Sequence, residues 1–302
     1  MFDRGLSYFS VAGAVTVARF QTVDPKTFES GSSMNRSISL NSRSLATCPA
    51  LFGPALFVVT LFVAAILTFG SAVLASEANK RPRAVLELYT SQGCNSCPPA
   101  DKLLGRYAKD KDVVALTFNV PYWDYLGWKD TLALPENEDR QRDYARARGD
   151  GAVYTPQVVI NGRRHAVGSA RFQIERAMSA DDPSGALPVA LEVHLDGDTL
   201  MVEAAAAPDG LKDPKATLWL VTYSRTATVP IKRGENRGAT ITYTNVVRNI
   251  RPIGMWKGKR LHLDLPRATL AKRGIDGCAV LLQREKNGRP GAILGAGMVA
   301  MK

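Results

Sequence analysis

The sequence predicts an α/β domain followed by an all-β, sandwich-like domain, both behind an N-terminal leader. Three observations carry this reading. Strand and helix signals alternate from residue 82 to residue 180, the pattern of a layered α/β domain. Beyond Asp181-Asp182-Pro183-Ser184-Gly185 the hydrophobic period changes to two and helix signals fade. Ahead of both, residues 50–76 carry no charged side chain. The chain therefore divides into a leader and short linker over 1–81, an α/β domain over 82–182 and a β domain over 183–302.

In the leader, the apolar run Leu56–Leu67 ends in Val73-Leu74-Ala75, a small-residue pattern that suits signal-peptidase cleavage after Ala75. Arg36 and Arg43 form a basic stretch ahead of it, and Met34 would start a leader of ordinary proportions. The run is also long enough to span a bilayer as an uncleaved anchor. Either way, the positive residues stay inside and the remainder is placed outside the cytoplasm. That means periplasmic or secreted after cleavage, or held at the inner membrane with the globular part outside.

In the α/β segment, Val85–Tyr89 reads as a strand and Pro98–Lys109 as a helix with Leu103, Leu104 and Tyr107 on one face. Val113–Val120 is the next strand and Glu136–Arg148 a charged helix. Pro156–Asn161, with Gln157-Val158-Val159-Ile160 at its centre, is another strand; Arg164–Val167 pairs with it across Asn161-Gly162, and Ser169 caps a helix through Met178. This is the thioredoxin order. In the β segment, Val189–Leu195 and Leu200–Ala204 form a hairpin across Asp196-Gly197-Asp198. Ala216–Tyr223, Ala239–Val246, Arg260–Leu265, Cys278–Arg284 and Ile293–Met301 complete about seven strands.

Chemistry concentrates at Cys94-Asn95-Ser96-Cys97, between a strand and a helix. At a helix N-terminus the macrodipole and free backbone N–H groups favour thiolate over thiol, so Cys94 is the candidate nucleophile. Cys97, one turn on, is placed to attack a mixed disulfide and release the substrate. Pro156 opens a buried strand in Tyr154-Thr155-Pro156-Gln157. A proline there offers no ladder donor, and a cis Thr155–Pro156 bond would leave the Thr155 backbone free to pair with a substrate peptide. Glu87 is either a buried general base or an exposed strand-end carboxylate; alternation alone does not choose. Tyr122, Trp123, Tyr125 and Trp128 form either an aromatic wall beside the pair or a packed seam to the β segment.

Composition narrows the alternatives. The 302 residues carry a net charge of +11, but the excess is scattered and no groove-reading motif accompanies it, so no nucleic-acid partner is expected. There is no phosphate loop, dinucleotide fingerprint or Ser/His/Asp order, and no cofactor is expected. Of the four cysteines, Cys48 is lost if the leader is cleaved, and Cys278 reads as a small buried hydrophobe. None of the three histidines has metal-ligand spacing; His165 with the two thiolates is the one conceivable Cu(I) or Zn set.

Residues 84–180 look like a thioredoxin-like domain. More closely, Leu86–Asp101, Tyr122–Asp130 and Tyr154–Gln157 resemble an exported bacterial family of unknown function with a β-rich tail. Gly234–Gly238, Val246-Val247-Arg248 and Gly254-Met255-Trp256 are similar to that tail's motifs. Asn119-Val120-Pro121 stands where other members tend to have a His-Val-Asp run. The resemblance implies the fold and export without a reaction. Together with the Cys pair it gives the expected activity, thiol–disulfide exchange on protein thiols and disulfides. The alternatives are a binding or scaffold protein with a structural disulfide, and a thiolate metal-binding protein.

Overall fold

The computed structural model describes residues 81–180, 186–270 and 273–301. The apolar run 50–75, the cleavage site, Met34 and Cys48 lie outside them. No helix among the described residues is long and apolar enough to cross a membrane.

The α/β alternation gives β1 (Ala84–Thr90), α1 (Pro98–Tyr107), β2 (Val113–Asn119), α2 (Pro135–Arg148), β3 (Gln157–Ile160), β4 (Arg164–Val167) and α3 (Arg171–Ser179). The β3–β4 turn is built as expected: Asn161 and Gly162 both take positive φ, which the type I′ geometry demands. Ser169 does not cap α3. Ala170 holds that position, and no side-chain cap bond forms there.

The second segment supplies β5 (Leu191–Asp196), β6 (Thr199–Ala204), β7 (Ala216–Pro230), β8 (Thr240–Trp256), β9 (Leu261–Pro266), β10 (Gly277–Lys286) and β11 (Arg289–Ala300). β7 and β8 run far past their expected ends, because the two arms stay paired with each other along one long hairpin, from the Ala216/Trp256 pair to the Pro230/Thr240 pair.

The sheet that results crosses the expected boundary. Its eight strands run β11-β10-β7-β8-β2-β1-β3-β4, a mixed sheet in which β1 and β2 are parallel and β1, β3 and β4 antiparallel. β8 joins β2 in parallel at Thr117 and Val246, so most of the second segment's strands extend the first segment's sheet. A self-contained β-sandwich is therefore not what forms. β5, β6 and β9 make a separate three-stranded antiparallel sheet instead.

Alternation sorts the core into layers. One face of the large sheet gathers Val85, Tyr89, Phe118, Val221, Tyr223, Leu281 and Ile293 from both segments, closed by Tyr144 of α2. The opposite face of β1–β3 carries Leu86, Leu88 and Val158 against Leu103 and Leu104 of α1 and Ile174 of α3. The opposite face of β7 and β10 carries Leu218, Leu220, Val280 and Leu282 against Leu200 and Val202 of the small sheet. The Ile293 N–H donates to the Asn161 C=O (2.9 Å), tying β11 to the β3–β4 turn at the far end of the sheet.

Candidate redox site

The site begins where β1 gives way to α1. Ser91 turns the chain: its carbonyl accepts the Cys94 N–H and its Oγ the Gly93 N–H, both at 3.2 Å. Cys97 is the N-cap of α1, and its carbonyl accepts the Ala100 and Asp101 N–H groups. Cys94 and Cys97 are joined in a disulfide with their Cα atoms 5.4 Å apart. Both are buried, whereas Asn95 and Ser96 between them are exposed. The Ser96 Oγ lies 3.4 Å from the Cys94 Sγ.

The Thr155–Pro156 bond is cis. Both ladders of β3 begin at Gln157, so Thr155 takes part in neither. Gln157 pairs with Tyr89, which sets Pro156 beside the end of β1. Gly168 is wedged against both Pro156 and Ala100, so the proline also borders the first turn of α1. Trp123 ties the two corners together. Its indole N–H donates to the Thr155 Oγ1 (2.6 Å), and its Cβ would stand 3.0 Å from a Cβ on Gly93.

The aromatic cluster splits between packed and exposed positions. Tyr122 packs on the main core and donates to Gln141, and Trp128 packs with Ile231 and Ile241 of the β7–β8 hairpin. Tyr125 is 76 % exposed and stacks on Trp123.

Glu87 is fully buried, but on the face of β1 away from α1. Arg140 of α2 grips it with two bonds of 2.8 and 2.9 Å, and the Tyr144 and Tyr89 hydroxyls donate to it. Arg140 also reaches Gln283 of β10, so the carboxylate belongs to a satisfied polar network inside the main core. Cys94, Cys97, Thr155 and Pro156 thus gather at one corner, and Glu87 stands across the sheet from it.

Three residues of the site escaped the sequence reading. Asp101 is one turn beyond Cys97 and buried, with the Thr90 hydroxyl as its polar neighbour. Burial pushes its carboxyl up to about 8, while the neighbouring Thr90 hydroxyl opposes that rise and the Asp130 charge adds to it. A clue was present: Asp101 interrupts the buried stripe Ala100, Leu103, Leu104, Tyr107. Asp130 is buried and braces the loop, accepting the Gln92 N–H (2.8 Å) and the Asn119 Nδ2 (3.0 Å). Asn236, in the turn between β7 and β8, donates from Nδ2 to the carbonyls of Gln92 and Cys94, both at 2.9 Å. Nothing local in the sequence announces that contact across more than a hundred residues.

His165 lies elsewhere. One ring nitrogen meets the Tyr154 hydroxyl (2.8 Å) and the other Asp150 (3.2 Å). Among the described residues no set of three or more His, Cys, Asp and Glu side chains is arranged to hold a metal. Cys278 is buried on β10, its thiol pushed up to about 12 by burial.

Residues 85–283 match the family described as "Protein of unknown function (DUF1223)", a span that contains the Cys94–Cys97 pair, Asp101, the Thr155–Pro156 corner and Asn236. The chain belongs to this family. The crystal structure of protein AGR_C_4864 from Agrobacterium tumefaciens is similar to this DUF1223 chain at 38% identity, covering 74% of this chain and 96% of that one with a TM-score of 0.66. HBP35 of Porphyromonas gingivalis is similar at 13% identity over 74% of this chain and 76% of that one, with a TM-score of 0.49. No curated protein matches.

Proposed function

We propose that this DUF1223 protein is an exported thiol–disulfide oxidoreductase built on a thioredoxin-like unit. The observation that carries the proposal is the Cys94–Cys97 disulfide at the N-terminus of α1, with Cys97 as the N-cap and the Thr155–Pro156 corner beside it. The thioredoxin-like reading is supported by the sheet order β2-β1-β3-β4 with β1 and β2 parallel, and by α1 and α3 sharing one face. Export rests on the apolar leader ahead of residue 81.

In the reaction, Cys94 as thiolate attacks a substrate disulfide. One substrate sulfur leaves as a thiolate and the other is held in a mixed disulfide with Cys94. Cys97, once deprotonated, attacks the Cys94 sulfur, the mixed disulfide breaks and the second substrate thiolate leaves. The substrate is reduced by two electrons and the pair is oxidised. Run backwards, the same steps oxidise a substrate dithiol. Asp101, in place of Glu87, is the residue we assign to exchange a proton with Cys97, because it is the buried acid on the Cys97 side of the sheet. Burial raises the Asp101 carboxyl to about 8, so near neutral pH it can both hold a proton and give it up.

The test is the reduction potential of the pair, by thiol trapping across glutathione and dithiothreitol buffers. A potential above about −270 mV lies among exchange catalysts. Turnover of a disulfide substrate must then vanish in Cys94→Ser. A potential below about −300 mV marks a structural bond and refutes the proposal. That second reading, a binding or scaffold protein with a structural disulfide, has its own support in the burial of Cys94, which is 3 % exposed.

A further inference from the structure

The turn from Ile231 to Ala239, at the tip of the β7–β8 hairpin, belongs to the second segment yet holds the backbone of the disulfide loop. It is closed by its own hydrogen bonds. The Ile231 N–H donates to the Ala239 C=O (2.8 Å), the Gly238 N–H to the Ile231 C=O (2.9 Å) and the Ala239 N–H to the Asn236 C=O (3.0 Å). Gly234 takes positive φ and lies against Trp128, whose indole N–H donates to the Gln92 Oε1 (2.8 Å). Ile231 and Ile241 bury the base of the turn against Trp128 and Leu132.

From this platform Asn236, 9 % exposed, spends both of its Nδ2 donors on the loop. One goes to the Gln92 carbonyl, two residues before the first cysteine, and one to the carbonyl of Cys94 itself. The Cys94 carbonyl also accepts the Cys97 N–H (3.2 Å). Its orientation is therefore shared between the hairpin and the peptide that closes the disulfide ring. The Gln92 N–H is held in turn by Asp130, so the hairpin and Asp130 both anchor this loop.

We propose that Asn236 is a positioning residue for the redox pair, coupling the hairpin turn to the oxidation state of Cys94–Cys97; the inference rests on the pair being a working redox couple. The physical link is the Cys94 peptide unit. When two glutathione thiols are oxidised to glutathione disulfide, the Cys94–Cys97 bond opens to two thiols and the sulfurs move apart. The Cys94 carbonyl, held by Asn236 and the Cys97 N–H while the ring is closed, is then free to reorient. Whatever Asn236 contributes to the oxidised form beyond the reduced one lowers the reduction potential. By reciprocity, reduction loosens the turn to the same extent.

Two measurements test this on the full protein. The first compares reduction potentials of wild type, Asn236→Ala and Asn236→Leu, the last keeping much of the volume while removing both donors without adding a charge. We expect the equilibrium with glutathione to shift toward the dithiol roughly tenfold, a rise of ~30 mV. The second follows hydrogen exchange of the Ile231, Gly238 and Ala239 amides in oxidised and reduced wild type, where we expect faster exchange on reduction. The proposal is overturned if both variants stay within twofold of the wild-type equilibrium, or if turn protection is equal in the two redox states. In either case Asn236 is a structural contact only. If the wild-type pair resists reduction throughout the buffer range, both this inference and the proposed exchange activity fall. A wild-type pair that exchanges normally beside unshifted variants overturns this inference alone.

Discussion

Asp101→Asn separates a buried, proton-holding acid from an ordinary carboxylate. In the unfolded chain the Asp101 carboxyl ionises near ~3.9; in the folded protein it is raised to about 8, mainly by burial. Between those values the native state keeps a proton that the unfolded state has lost. Stability therefore falls as pH rises, at up to about 1.4 kcal/mol per pH unit for one proton. The contribution is fully present below pH ~4 and is lost as pH climbs through about 8. Asparagine has nearly the same shape and no titration, so the stability of Asp101→Asn relative to wild type should rise by about 4 kcal/mol from pH 5 to pH 8. Thr90 of β1, Asp130 of the segment after β2 and Tyr243 of β8, the groups near Asp101, are common to both proteins. The assay is urea unfolding of the oxidised proteins at pH 5, 6, 7 and 8 with equal m-values. A difference constant within about 0.5 kcal/mol across that range would refute a protonated Asp101, and with it the role assigned beside Cys97.

Other substitutions probe the rest of the framework. Arg140→Met leaves Glu87 charged and unpaired in the core and should cost about 3–5 kcal/mol in urea unfolding, with part of the loss restored by adding Glu87→Gln; a cost under ~1 kcal/mol would show the network to be dispensable. Cys278 should resist thiol reagents at pH 8 in the folded protein and react on unfolding, since its thiol is buried and raised to about 12; rapid native labelling counts against that. Gly162→Ala places a methyl group against the Gly291 carbonyl at a positive φ, so it should destabilise by about 1–3 kcal/mol and slacken the tie between the β3–β4 turn and β11. Tyr125→Ser should leave stability within about 0.5 kcal/mol while slowing exchange on peptide disulfides relative to glutathione, which stopped-flow turnover of both substrates would resolve.

What the sequence disclosed follows the range of its signals. β4 falls at its expected residues, and β3 and α2 within one residue at their ends, because pattern, proline and the Asn161-Gly162 turn act over a few positions. Glu87 shows where such signals stop. Alternation puts it on the face of Val85 and Tyr89, but which face meets α1 is decided by the packing of Leu86 and Leu88 against Leu103 and Leu104. The second segment shows the same limit more strongly. Its strands were visible as a run of period two, yet nothing in that run tells β8 to join β2. That pairing needs the Thr117 hydroxyl to meet the Thr244 carbonyl (2.6 Å) and Asn245 to reach the Ala115 carbonyl (2.9 Å), contacts spanning over a hundred residues. Once β8 is fixed there, the hairpin above it projects back over α1, with Gly105 of α1 against Thr244. The same placement carries Tyr243 toward Asp101 and Asn236 onto Cys94. The tail's contribution to the redox corner is thus a consequence of one strand pairing. For that reason a boundary drawn between the segments from sequence cuts through the site.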